Sequence, residues 1–152
     1  MKIVDLEPGD ERLVSEVLPV LRELRPHLTD DLFREVYAEG YGQGLRFSAA
    51  YAEDGVCVGV AGWRVLVNTS QVRKLYVDDL VTSGAARSGG VGRALLGYLE
   101  ERAVRLGCRC LDLDSGTRRT DAHRFYLRER MEISSFHFRK SLEGPGQPDS
   151  PA

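Results

Sequence analysis

Between residues 45 and 82 lie three runs rich in Val, Leu, Phe, Tyr and Trp, covering 45–52, 56–67 and 72–82. Only Glu53-Asp54-Gly55 and Asn68-Thr69-Ser70 separate them, and both triplets have turn composition. Reversals this short join antiparallel neighbours, so three consecutive antiparallel strands are expected. This hairpin series commits the chain to one central sheet, and every other element must be placed against it.

The flanking periodicities supply those elements. Lys2-Ile3-Val4-Asp5-Leu6 alternates and reads as a short strand. Leu13, Val14, Val17, Leu18, Leu21 and Leu24 recur at helical spacing, in a helix that Pro19 should kink or interrupt and Pro26 should end. Thr29 suits the N-cap of a second helix, with Asp30 and Asp31 at the positive end of its dipole and Gly40 as a stop. Leu28 and Phe33 stand where a hydrophobic staple would place them. After residue 90, Val91, Leu95, Tyr98, Leu99, Ala103 and Leu106 line one helical face, which Gly107 closes. A strand is expected over 109–114, a short helix capped by Thr120, and a last strand over 133–141 with Phe136 and Phe138 on one face. The order β-α-α-β-β-β-α-β-α-β makes an α+β, or mixed α/β, domain over residues 1–143. The Gly- and Pro-rich residues 144–152 are expected to be a disordered tail.

The segment most charged with chemistry is Arg87-Ser88-Gly89-Gly90-Val91-Gly92, which follows a strand and opens a helix. Glycines remove side chains where backbone must approach a ligand. The amides of a first helical turn lack internal partners and carry the positive end of the dipole, so together these features cradle phosphate. Two common nucleotide signatures fit poorly. Leu95 stands where a dinucleotide fingerprint needs its third Gly or Ala, and Gly92-Arg93-Ala94 lacks the Lys and hydroxyl of a Walker sequence.

The segment instead resembles the Arg/Gln-x-x-Gly-x-Gly/Ala signature of the GNAT superfamily of acetyl-CoA-dependent N-acetyltransferases. Three neighbouring segments are similar to that family as well: residues 75–82 to its preceding strand, Leu106-Gly107 with 111–114 to its helix end and next strand, and Ala122-His123-Arg124-Phe125-Tyr126 to its Ala-x-x-Phe-Tyr helix. The resemblance spans about residues 45 to 140. It implies a mostly antiparallel central sheet with helices on both faces, its strands splayed to admit coenzyme A. Backbone groups of Leu80, Val81 and Thr82 would bond the pantetheine arm as an added strand does. The amides of Ser88, Gly89, Gly90, Val91, Gly92 and Arg93 would hold the pyrophosphate, with Arg87 adding charge. Acetyl would then pass directly from acetyl-CoA to a primary amine.

An alkyl amine is mostly protonated at neutral pH, so a base is required. The resemblance points to Asp78. Asp79 would face the other way in a regular strand, and a bulge would exchange them. The resemblance also makes Tyr126 the acid that protonates the departing thiolate. Glu35, Tyr37, Trp63 and Arg64 are candidates to line the acceptor site. The chain departs from the family pattern at Arg119, where Asn is common, and at Arg130-Met131, where Gly-Phe is common.

A formal net charge of -2 gives no reason to expect nucleic acid or an anionic membrane as partner, and no apolar stretch is long enough to span a bilayer. Cys57, Cys108 and Cys110, an odd number without a signal sequence, suggest reduced packing thiols and a cytoplasmic setting. They lack further ligands at metal spacing, so no metal is expected. The acceptor is expected to be a small-molecule or peptide amine, and edge strands leave room for a homodimer. The alternative reading is a non-catalytic acyl-CoA-binding sensor or assembly module.

Overall fold

The computed structural model describes residues 1–144. Its five strands are β1 (Lys2–Leu6), β2 (Arg46–Tyr51), β3 (Cys57–Asn68), β4 (Val72–Thr82) and β5 (Cys110–Leu113), arranged in the order β1-β2-β3-β4-β5. The first four are mutually antiparallel, and β5 joins β4 in parallel. The three-strand series expected from composition is therefore present as β2, β3 and β4.

Helices cover both faces of this sheet. One face is packed by a π-helical turn (Leu13–Val17), α1 (Leu18–Leu21) and α2 (Asp30–Gly42), which bury Val17, Leu18, Leu21, Phe33 and Tyr37 against Leu6, Phe47, Val60 and Val81. Pro19 falls where the π turn passes into α1. There the wide turn leaves room for its ring, and a missing amide near a helix start costs little. Thr29 caps α2 as expected, its Oγ1 accepting from the Leu32 amide at 3.1 Å. The helix runs past Gly40 to Gly42, because the Leu45 amide returns to the Gly40 carbonyl only after the turn.

The opposite face belongs to α3 (Val91–Arg105), which buries Val91, Leu95, Leu99 and Ala103 against Ala50, Ala61, Trp63, Leu75 and Val77. Gly107, with φ +74°, ends α3: its amide bonds the Val104 carbonyl and that of Cys108 the Ala103 carbonyl. A polar network ties this helix to the sheet. Asp5 accepts from Ser48 Oγ at 2.6 Å, from Tyr98 at 3.0 Å and from Arg102 at 2.7 Å, while Trp63 Nε1 donates to Ser48 Oγ at 3.0 Å.

Residues Met1–Leu113 form one compact unit, and a second begins at Asp114. The second holds α4 (Thr120–Arg128). Thr120 is its first helical residue rather than its cap, and no side chain caps the helix. The strand expected over 133–141 is not formed: residues 132–142 hold neither helix nor strand. Alternation makes a segment compatible with a sheet, but a strand exists only once another strand pairs with it. The expected disordered tail lies, from residue 145 onward, outside the described residues. Among the described residues no helix is long and apolar enough to cross a membrane.

Candidate active site

The parallel pairing of β4 with β5 stops at Val77↔Leu113, while β4 continues to Thr82. On its other side β4 stays paired with β3 up to Gly59↔Thr82. Leu80, Val81 and Thr82 therefore present a backbone edge that β5 does not cover. This is the splay expected of the sheet.

Beyond Thr82 a 3₁₀ turn (Gly84–Ala86) leads through Arg87 to the glycines. Ser88 and Gly90 both take left-handed backbone, with φ +68° and +77°. Gly90 is the N-cap of α3, and the first intrahelical bond runs from the Ala94 amide to the Gly90 carbonyl. The amides of Val91 and Gly92 thus have no partner within the helix. A Cβ on Gly90 would meet nothing within 4 Å, so open space lies before this turn. Arg87 is exposed and makes no ion pair among the described residues. What seats the turn is Gly59, which the sequence reading missed. A Cβ there would stand 2.5 Å from Val91 Cγ1 and 3.0 Å from Leu95 Cδ1, so only glycine lets α3 lie this close to β3.

The two carboxylates are separated by a bulge. Gly62 pairs with Asp79 and Trp63 with Val77, leaving Asp78 as the extra residue of β4. Facing reverses across it: Leu75 and Val77 pack under α3, whereas Val81 packs on the α1–α2 side and Leu80 turns toward α3. Asp79 accordingly meets the α1–α2 layer, where Arg25 Nε donates to its Oδ1 at 2.8 Å and the other side of Gly62 leaves it room. Arg25 also donates to the Asp78 carbonyl at 3.0 Å. Asp78 itself is gripped by Arg64, Nε to Oδ2 at 2.9 Å and NH2 to Oδ1 at 2.7 Å. Burial pushes the Asp79 carboxyl up. Arg25 opposes this by charge and hydrogen bond, the Asp78 carboxylate adds to it, and the net shift is upward.

Both acids, with Arg25, His27, Glu39 and Arg64, line a cleft of about 440 Å³ beside α2. Of the side chains expected to line an acceptor site, Arg64 is there. Tyr37 and Trp63 are instead core residues: the Tyr37 hydroxyl donates to the Leu6 carbonyl at 2.5 Å and Trp63 to Ser48. Glu35 lies on the exposed side of α2. Helical spacing alone could not separate the inward from the outward face of an α2 whose residues are so evenly mixed in polarity.

In the second unit, Tyr126 is half-buried on α4, and burial holds its phenol above the ordinary value despite the charge of Arg119 and its hydrogen bond to the hydroxyl. The departure at Arg119 thus adds a cation to the candidate acid. His123 Nε2 lies 2.8 Å from the Gly116 carbonyl, a local contact. Arg130 has φ +65° and follows the α4 C-cap, with its amide bonded to the Leu127 carbonyl and that of Met131 to the Tyr126 carbonyl. This left-handed helix stop favours glycine, and the chain fills it with arginine. Cys57, Cys108 and Cys110 are free, and among the described residues no three His, Cys, Asp or Glu side chains gather as metal ligands.

Comparison with known proteins follows the same lines. Residues 11–130 match the family model described as acetyltransferase (GNAT) family. The chain is 31% identical over 129 residues to the uncharacterized N-acetyltransferase YhdJ of Bacillus subtilis (strain 168), covering 84% of this chain and 91% of that one. It is 39% identical over 66 residues to the aminoalkylphosphonate N-acetyltransferase of Salmonella typhimurium, covering 43% of each. Among solved structures, the aminoglycoside N-acetyltransferase AAC(6')-Iy, bound to a bisubstrate analogue built on CoA, superposes with a TM-score of 0.77 at 18% identity, over 93% of this chain and 98% of that one. That likeness shows a shared fold.

Proposed function

The chain belongs to the acetyltransferase (GNAT) family and is an acyltransferase, and on that premise we propose that it moves acetyl from acetyl-CoA directly to a small-molecule primary amine. The observation that carries this reading is the free edge of β4 beyond Val77↔Leu113, which runs straight into the glycine-opened first turn of α3. An uncovered strand edge offers amide-type hydrogen bonds, and the turn offers unpartnered amides with a positive dipole. Pantetheine and pyrophosphate need these two in that order. The relatives support the acceptor class: the Salmonella protein is named for aminoalkylphosphonates and AAC(6')-Iy for aminoglycosides, both of them small amines.

The residues fit such a group. The open space before Gly90 admits it, Arg87 adds charge, and Leu80, Val81 and Thr82 supply the edge. Acetyl-CoA supplies an activated thioester carbonyl and a thiolate leaving group. The chain's task is to bring a neutral amine to that carbonyl and to protonate the sulfur. Of the two acids, Asp79 is the better base, because burial raises its proton affinity while Asp78 is held at both oxygens by Arg64. It takes one proton from the incoming ammonium. As the new C–N bond forms and the C–S bond breaks, the Tyr126 hydroxyl gives a proton to sulfur, Arg119 stabilises the charge left on the phenol oxygen, and the second proton shed by the nitrogen restores the phenol.

Titration calorimetry with acetyl-CoA, against CoA, ATP and NAD, tests the binding half. Micromolar acetyl-CoA affinity should disappear in Gly90→Glu/Gly92→Glu, since the added carboxylates repel pyrophosphate. A folded protein that binds neither acetyl-CoA nor CoA would sink the proposal. Turnover across a panel of amino sugars, aminoalkylphosphonates and peptides tests the acceptor half. Binding without turnover on any of them would favour the sensor reading.

A further inference from the structure

The turn that follows α1 touches the site twice from one short stretch. Glu23 Oε1 accepts from the Gly84 amide at 2.9 Å. Two residues on, Arg25 holds the Asp79 carboxylate and the Asp78 carbonyl. Leu24, between them, is buried in the core, and the amides of Glu23, Leu24 and Arg25 bond back to the carbonyls of Val20 and Leu21. The stretch is therefore a fixed point. Resting on the acetyl-CoA reading of the site, we propose that Glu23 is a positioning residue for acetyl-CoA: it sets the backbone that joins the open edge of β4 to the glycines.

The loop needs such an anchor. The Ser83 amide still bonds the Val58 carbonyl of β3. Beyond it, the Ala86 amide bonds the Ser83 carbonyl and the Gly89 amide the Ala86 carbonyl. These local bonds shape the loop without locating it. Ala86 rests on the core beneath α3, and Glu23 reaches the loop from the α1 side. The Ser83 side chain does not cap the 3₁₀ turn, so the Glu23 carboxylate does what a local cap would do. A Cβ on Gly84 would stand only 3.1 Å from Glu23 Oε1, an approach that glycine eases. Further along, Ser88 holds left-handed backbone without being glycine, a conformation that persists only where its surroundings fix it.

Charge sharpens the assignment. A carboxylate beside a loop that receives pyrophosphate is unfavourable on Coulomb grounds alone. What favours it is the bond to Gly84, because a loop already in place spares the ligand the entropy of ordering it.

Calorimetry and steady-state kinetics on Glu23→Ala and Glu23→Gln separate the bond from the charge. Glu23 is exposed, so both variants should fold. Glu23→Ala should raise Kd and KM for acetyl-CoA about five-fold, the scale of a lost cap, with kcat at saturating acetyl-CoA much less affected. Glu23→Gln keeps an acceptor oxygen and should bind close to wild type. The acid limb of the pH–rate profile should stay in place in both, because Arg25 still holds Asp79, whereas general damage to the turn would move it. In the ligand-free protein the Gly84 amide should exchange about five-fold faster in Glu23→Ala than in wild type. Unchanged or tighter acetyl-CoA binding by Glu23→Ala overturns the proposal, as does a displaced acid limb or a Glu23→Gln as weak as Glu23→Ala. A wild type that binds neither acetyl-CoA nor CoA removes the acetyl-CoA reading itself, and the role of Glu23 with it; wild-type binding shared by Glu23→Ala removes that role alone.

Discussion

Asp79 Oδ2 lies 2.7 Å from the point where a Cβ on Gly62 would stand. The absence of a side chain at Gly62 is thus what admits a carboxylate between β3 and the α1–α2 layer. Phe47 closes the same space, its Cε1 being 2.9 Å from that point.

Gly62→Ala should therefore displace Asp79 or Phe47. The expected cost is about 1–3 kcal/mol of stability, as for other overpacked sites, with a fall in kcat larger than any change in KM for acetyl-CoA. Thermal melts and steady-state kinetics check both. Wild-type values in each would mean that the carboxylate is not held by this contact.

The two acids should separate on substitution. Asp79→Asn should lower kcat by about 100-fold or more, the usual scale for losing a general base. Asp78→Asn, which loosens Arg64 instead, should cost less. Because the Asp79 carboxyl is pushed above its ordinary value, the acid limb of the wild-type pH–rate profile should lie above the usual carboxylate range, with activity rising as pH rises. That limb should vanish in Asp79→Asn. Its persistence would assign the base elsewhere.

Tyr126→Phe should slow turnover by roughly 100-fold while sparing acetyl-CoA affinity. Since burial raises the phenol, the proton needed for the thiolate is retained through mildly alkaline pH. The alkaline limb should accordingly fall above the ordinary tyrosine value of about 10. Arg119→Ala should move that limb further up, because it removes the cation that lowers it. Equal kcat in wild type and Tyr126→Phe would leave the phenylalanine-tyrosine pair a packing feature.

Much of this arrangement was legible in the residues themselves. The hairpin series, the glycine-opened helix and the Thr29 cap follow from turn chemistry and periodicity, which act over a few residues. What stayed hidden depends on distant partners. Gly59 and Gly62 look like ordinary strand residues until Val91 and Asp79 are set against them. Tyr37 and Trp63 carry polar tips that suit a site, yet Leu6 and Ser48 satisfy those tips in the core. The bulge at Asp78 could be stated only as a condition, because it is set by the match between β3 and β4 and leaves no mark in one strand alone. The strand at 133–141 failed for the complementary reason: its pattern is right, but pairing needs a second strand.

Asp5 should make the fold sensitive to acid. Burial pushes its carboxyl up, but hydrogen bonds from Ser48, Arg102 and Tyr98 together outweigh this and hold it below the ordinary value. The folded state then binds fewer protons than the unfolded chain, so the contribution is complete above about pH 4 and lost as pH falls toward the lowered value. Asp5→Ala should cost about 1–3 kcal/mol at neutral pH by leaving Ser48 short of a partner, and the gap should narrow in acid. Urea unfolding at neutral and acid pH measures it. A gap independent of pH would remove the carboxylate from the explanation.

Arg130→Gly should stabilise the second unit by about 1 kcal/mol, the usual penalty of a left-handed non-glycine residue. The melting temperature should rise with no loss of activity. A neutral or lower melting temperature would mean that Arg130 contributes contacts worth as much as the strain it carries.

The unmatched residue in β4 divides that strand into two parts with separate duties. The half from Val72 to Val77 serves the packing beneath α3, and the half from Asp79 to Thr82 serves the cleft and the open edge. A single residue outside the ladder, Asp78, lies between them. Deleting Asp78 would remove the mismatch and leave the composition nearly unchanged. Trp63↔Val77 and Gly62↔Asp79 would then follow one another in regular register, so Asp79, Leu80 and Val81 would keep their facing while the acid that Arg64 holds would be lost. Among relatives of this chain, a one-residue shortening at this point should therefore leave the sheet and its core in place and remove one acid from the cleft.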